Sequence, residues 1–387
     1  MADAAPGRSR TLARGAVALT VVALSTVWFA WSAQAGEAMA SPTRSQLQPA
    51  APASQPQSWR SGDAERADES SGSPPVMRAA ECVGVDLVKA LQSSDAASFE
   101  RFESSARAVA NGQGLLWRIE GKGGKASYLF GTMHSSEPVA KSFDELVLRA
   151  LRRARVVATE LPGASTRKVA NELRRLVANR SFRPEGDSLG ALPTDVRERV
   201  EARVARIGIP PTVVEQLQPW YLALALSRSH CSSGQAGVDP ETADARIERF
   251  AVEQGAALVA LESPVEQVDA LASIPDEVAL RMMREATERD LRPEDVESTI
   301  TGLYTTRRIG YLLAMRGPIW AGVFDVDGYA DFLAAFITRR NIAMLQRARP
   351  ILSAGEAFLA VGALHLPGEG GLVELIRRAG YSVTRIW

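Results

Sequence analysis

The chain is poor in the residues from which metal and redox sites are usually read. Of 387 residues only three are histidine (His134, His230, His365) and two cysteine (Cys82, Cys231). The cysteines are too far apart to form a Cys-x-x-Cys redox or zinc motif. Charge of one sign is also missing, because 45 basic side chains meet 45 acidic ones. That balance argues against nucleic acid as a partner and against an anionic membrane surface. Beyond residue 32 no apolar run is long enough to cross a bilayer. There is no Walker loop, and no Gly-x-Gly-x-x-Gly follows a strand; Lys122-Gly123-Gly124-Lys125 reads as a turn. Ser135 and Ser136 are not set in a Gly-x-Ser-x-Gly elbow.

The N-terminus is not part of the fold. Arg8, Arg10 and Arg14 precede an uncharged, largely apolar stretch, Gly15 to Ser32, and then a small-x-small site, Ala33-Gln34-Ala35. Residues 1–35 therefore read as a signal peptide, or as an N-terminal anchor if uncleaved, since the stretch approaches spanning length. Either way the rest of the chain is expected to be exported, periplasmic or extracellular, with membrane contact only through residues 15–32. Residues 36–79 are Ser/Pro/Gln/Ala-rich with hardly any large apolar side chains. They cannot offset their ordering entropy and read as a disordered linker. Residues 80–387 form the folded domain. In an oxidising compartment Cys82 and Cys231 are expected to form a disulfide, contributing ~4–5 kcal/mol in the chain-entropy picture.

Within the domain, helical spacing predicts helices over 85–91, 96–110, 143–154, 166–178, 195–207, 213–228, 240–254, 265–271, 276–290, 293–315, 329–348 and 371–379. Short apolar runs predict strands over 115–119, 127–130, 155–159, 257–261, 357–361 and 381–386, the first two joined by the turn at 121–125.

Two of the three histidines end in the same frame. Tyr128-Leu129-Phe130 runs into Gly131-Thr132-Met133-His134, and Phe358-Leu359-Ala360-Val361 runs into Gly362-Ala363-Leu364-His365. Two further strands end at Glu160 and Glu262. A proline comes soon after each of the four, which suits a strand exit entering a helix. If the four strands are parallel neighbours, His134, Glu160, Glu262 and His365 converge on one rim, where ligands bind in open α/β sheets. Neutral imidazole and carboxylate are ligands for Zn, Mn, Fe or Co, and a carboxylate that is not a ligand can take a proton from water. Gly131 and Gly362 lack a Cβ and let the backbone come close or turn sharply. Arg340 and Asn341, in the long helix over 329–348, would hold a substrate carbonyl or oxyanion. His230 ends a helix, where the dipole accounts for it.

Taken in order, several segments resemble the TraB/GumN family, which includes the Tiki metalloproteases. They are Leu116-Trp117-Arg118-Ile119, the run from Tyr128 to His134, Glu160, Leu261-Glu262-Ser263-Pro264-Val265-Glu266-Gln267, Arg340-Asn341, and the run from Val361 to Leu372 with Gly380-Tyr381. The resemblance departs at Glu137-Pro138, where the family more often has Asp-Pro. It implies an α/β fold with a central mixed sheet flanked by helices and a large helical insertion, related to erythromycin-esterase-like folds. In the Tiki branch it also implies a Mn- or Co-dependent protease centre. His134 and His365 would hold the metal with one of the two acids, Glu160 or Glu262, the other being the general base for water, and Arg340 and Asn341 would give polar support. The expected function is an exported metal-dependent hydrolase acting on a peptide or protein substrate. The alternative is a non-catalytic exported protein on the same fold that binds haem or a saccharide or assists assembly.

Overall fold

The computed structural model describes residues 83–121, 123–133, 143–164, 166–183, 186–227, 242–288, 292–315 and 329–387. The expected signal segment and linker, the Cys82–Cys231 pair, His134 and His230 lie outside the described residues.

The described residues open with two helices, α1 (Leu87–Ser94) and α2 (Ala96–Arg107), capped by Asp86 and Asp95. A hairpin comes next, β1 (Leu116–Glu120) and β2 (Ala126–Thr132), then α3 (Glu145–Arg152) and β3 (Val156–Thr159). Among the described residues five helices separate β3 from β4 (Ala257–Ala260): α4 (Arg167–Ser181), α5 (Thr194–Arg206), α6 (Pro211–Val214), α7 (Pro219–Leu226) and α8 (Ala243–Glu253). Four more described α-helices lead to β5 (Ala357–Gly362): α9 (Pro264–Ala272), α10 (Asp276–Glu288), α11 (Pro293–Thr305) and α12 (Tyr329–Ala354). A 3-10 turn (Ala363–His365), α13 (Leu372–Arg378) and β6 (Ser382–Arg385) complete it.

The six strands form one mixed sheet in the order β4-β3-β5-β2-β1-β6. β4, β3, β5 and β2 run parallel, and β1 is antiparallel to β2 and to β6. The α/β architecture with its helical insertions is therefore the one expected. β5, at the centre, is buried along its whole length, as a parallel strand covered on both faces must be. Side chains alternate between the faces. Leu116, Phe130, Val157, Phe358 and Ala360 join one core with α3 and α8, through Val147, Leu151, Ile247 and Ala251. Trp117, Leu129, Ala158, Leu359 and Val361 join the other, with Met344, Leu345 and Ala348 of α12 and Leu372, Val373 and Ile376 of α13.

Two expected helices are each broken in two. The segment 213–228 splits into α6 and α7, because Pro219 opens α7 and holds Gln218 in an extended conformation (φ −61°, ψ 141°). The segment 293–315 ends as an α-helix at Thr305. Arg307 takes φ 60°, and its N–H and that of Arg308 return to Tyr304 O and Leu303 O, a Schellman closure. The chain continues as a 3-10 turn, Ile309–Ala314. The last long helix runs six residues beyond the expected Ala348, to Ala354, with Pro350 inside it. Among the described residues no helix is long and apolar enough to cross a membrane.

Candidate functional site

The parallel strands β4, β3, β5 and β2 all end on the same rim of the sheet. Glu262 lies two residues past β4, Glu160 lies directly after β3, and His365 closes the 3-10 turn after β5. Thr132 and Met133 bring β2 to the same rim, at the edge of the described residues. Gly131 has a steric task there. A Cβ on it would stand 2.9 Å from Ala363 Cα and 3.2 Å from Leu366, so the turn carrying His365 could not pack against β2.

Glu160, Glu262, Arg340, Asn341 and His365 are all buried at this rim. Arg340 lies between the two carboxylates. Its Nε donates to Glu262 Oε1 (2.8 Å), and its Nη2 donates to Glu262 Oε2 (2.6 Å) and Glu160 Oε2 (3.0 Å). Gln267, from α9, donates its Nε2 to Glu262 Oε2 (3.2 Å) and, more weakly, to Glu160 Oε2 (3.4 Å). The Gly362 N–H donates to Glu160 Oε1 at 2.6 Å. The Arg340 guanidinium also lies over the Phe336 ring, 5.0 Å from its centroid. Burial by itself would lower the Arg340 pKa; the charges of Glu262 and then Glu160, with their hydrogen bonds, outweigh it and raise the pKa above the ordinary value. When both acids are ionised, this trio carries one more negative charge than the guanidinium cancels. Breaking such a buried pair by removing one partner costs about 3–5 kcal/mol.

Asn341 decides the state of the histidine. Its Nδ2 donates to His365 O (3.1 Å) and Gly370 O (2.8 Å). Two carbonyls on the amino side fix the orientation of the amide. Its Oδ1 therefore faces His365 Nδ1, at 2.6 Å. A carbonyl oxygen only accepts, so Nδ1 carries the proton. In the neutral ring Nε2 then carries a lone pair, and it stands 3.7 Å from Glu160 Oε1. Two lone-pair atoms at that separation can share a positive partner, a proton or a metal ion. A histidine whose second nitrogen is held by an amide or carbonyl is the arrangement found at metal ligands. Imidazole and carboxylate are thus a donor pair that fits a divalent ion. Among the described residues no group of three or more His, Cys, Asp or Glu side chains is placed to hold one.

A second acidic layer was not singled out in the sequence. Asp244 and Glu248 of α8 are buried on the opposite face of the sheet. Thr132 Oγ1 donates to Asp244 Oδ1 (3.1 Å) and Thr159 Oγ1 to Glu248 Oε1 (2.9 Å). The available signal was the i, i+4 placement of two acids among Ala243, Ile247 and Ala251, the apolar stripe of α8. Tyr304, from α11, donates its hydroxyl to Gly131 O at 3.0 Å. Arg339, beside Arg340, is exposed.

One segment matches a nucleophile elbow in spacing only. Gly186-Asp187-Ser188-Leu189-Gly190 lies between α4 and α5, not after a strand, and the buried Ser188 hydroxyl donates to the backbone carbonyls of Glu215 and Leu217. It lacks the strand–turn–helix setting that exposes such a serine.

No curated protein and no solved structure matches the chain. A family model, that of the TraB/PrgY/gumN family, matches residues 115–385, from the start of the hairpin to the last strand and so across every rim residue described above. The chain belongs to the TraB/PrgY/gumN family.

Proposed function

We propose that this protein is an exported metal-dependent hydrolase, acting on a peptide or protein. The observation that carries the reading is the buried pair His365 Nε2 and Glu160 Oε1, facing each other at 3.7 Å with the imidazole tautomer set by Asn341. His365 and Glu160, with His134 just past β2 in the sequence, are the residues that would hold a divalent ion. Mn or Co are favoured by family resemblance, and Zn or Fe suit the same donors. When bound, the ion would supply Lewis acidity and make a water nucleophilic near neutral pH.

The remaining roles come from the hydrogen bonds. Arg340 and Gln267 anchor Glu160 Oε2, which aims Oε1 at the imidazole. Oε1 is thus the oxygen that Glu160 would offer to the ion. Glu262 gives both oxygens to Arg340 and serves as the counter-ion that pins the guanidinium. In this reading Arg340 is a counter-ion to the acid pair rather than a holder of an oxyanion. Asn341 positions His365 instead of touching substrate.

The test uses the chain purified from the exported fraction, stripped of metal and reloaded separately with Mn(II), Co(II) and Zn(II). Elemental analysis should find close to one ion per chain in the wild type, and His365→Ala and Glu160→Gln should lose it while keeping the wild-type circular dichroism. A peptide library should be cleaved only by the loaded wild type. Unchanged metal content in both folded variants would refute the site.

A further inference from the structure

We infer that α8 is the positioning element of this rim, with Glu248 stapling the loop that carries Glu160 and Asp244 tying down the exit of β2; as a statement about the metal centre this rests on the function proposed above. Glu248 brackets its target. One carboxylate oxygen accepts from Thr159 Oγ1 (2.9 Å), the residue just before Glu160. The other accepts from the Gly163 N–H (2.8 Å), three residues after it. Gly163 sits at φ 75°, so the loop makes a turn that L side chains rarely adopt and that a pinned N–H holds in place. With both ends of 159–163 fixed on one face of the sheet, the Glu160 side chain is delivered to the other face, where Gly362, Gln267 and Arg340 receive it.

Asp244 repeats the device one turn earlier on α8. It accepts from Thr132, the last residue of β2, at 3.1 Å. β5 lies between β2 and β3, so the two threonines are about two strand spacings, roughly 9–10 Å, apart. Residues i and i+4 advance about 6 Å along a helix, and carboxyl side chains of unequal length cover the rest. α8 therefore bridges the end of β5, the strand whose exit carries His365. Second-layer carboxylates of this kind orient a site without entering it.

The experiment compares Glu248→Gln, Thr159→Val and Thr159→Ser in the full chain, with the exposed Glu253→Gln of the same helix as control. Two readouts are taken. The first needs no metal: hydrogen exchange at the Gly362 amide, whose partner is Glu160 Oε1. It should quicken about tenfold or more in Glu248→Gln and Thr159→Val, and return to the wild-type rate in Thr159→Ser. The second is Co(II) affinity by calorimetry, expected to weaken about 10–100-fold in the same two variants and to recover with serine. If Glu248→Gln fails to fold, Thr159→Val carries the test, since it leaves the Glu248–Gly163 bond in place. Wild-type exchange at Gly362 in the folded variants would overturn the inference. Wild-type protein that takes up no Co(II), with exchange responding as expected, would instead remove the metal reading and leave the positioning role standing.

Discussion

At the scale of the residue, the rim is a place where polar groups are buried and must be satisfied, and the ways they are satisfied assign their roles. Asn341 and His365 illustrate it: two backbone carbonyls orient an amide, the amide orients an imidazole, and the imidazole turns its lone pair toward Glu160. Tyr304 is a similar case on the opposite face. Burial, and then the negative charge of Asp244, raise its phenol pKa above the ordinary value of 10.0. The unfolded chain loses that proton near pH 10 while the folded chain keeps it, so ionisation favours unfolding. Stability linked to Tyr304 is therefore fully present below pH 10 and is lost as pH rises above it. Urea unfolding between pH 9 and 11 should show a steeper loss in the wild type than in Tyr304→Phe. At pH 7 the variant should be less stable by about 0.5–1.5 kcal/mol, from loss of the bond to Gly131 O. Equal slopes for the two proteins would mean that Tyr304 titrates as it does in water.

At the scale of the element, the exits of the strands matter more than the strands. β4 is short and largely exposed, yet the segment after it is tightly tied. Ser263 and Glu266 form a complete capping box at the start of α9, with Pro264 as the first helical residue. Arg347 of α12 donates to Leu261 O (2.7 Å) and to Glu266 (2.6 Å), so the box also anchors the residue that precedes Glu262. Arg347 and then Ser263 hold the Glu266 carboxyl below its ordinary value of 4.5. Replacing Ser263 by Ala should cost about 1 kcal/mol in chemical denaturation, and Ser263→Thr should keep most of it. A loss under about 0.3 kcal/mol would show that Glu266 and Arg347 hold α9 without the serine. The segment 261–267 was legible as a strand exit entering a helix, because Pro264 two residues after Glu262 is a local signal. The breaks at Pro219 and Arg307 were less so. The first has a proline, but one set in an apolar run whose helical spacing continues on both sides of it. The second has no local breaker, and Arg307 is held instead by tertiary contacts, its guanidinium 4.2 Å from the centroid of the Trp387 ring.

At the scale of the whole molecule, the first and last strands of the described fold close on each other. β6 pairs with β1, and the Trp387 carbonyl accepts from the N–H groups of Leu115 (2.7 Å) and Leu116 (3.1 Å). β1 is in turn the partner of β2, which leads to the rim. Deleting residues 381–387 removes an edge strand and leaves β1 as an apolar edge, so the loss should reach beyond the missing residues. Thermal unfolding is expected to show at least about 3 kcal/mol of destabilisation, from Val383 and the Arg307–Trp387 stack, with increased aggregation. A truncated chain with the wild-type melting temperature would show that β6 is dispensable.

What the sequence determined by itself is local. Alternation and apolar runs identified all six strands, spacing identified most helices, and the matched Gly-x-x-His frames with Glu160 and Glu262 marked strand exits, since each of these signals is written within a few consecutive residues. Only the tertiary structure decided the rest. The order β4-β3-β5-β2 brings Glu160, Glu262 and His365 to one rim. The fold sends Arg340, 78 residues from Glu262, into the acid pair rather than toward open space. It lays Asp244 and Glu248 across two strand ends that lie 112 and 89 residues away in the chain. Charge pairing and hydrogen bonding between groups so far apart depend on which faces the packed core brings together, and that is a property of the whole chain.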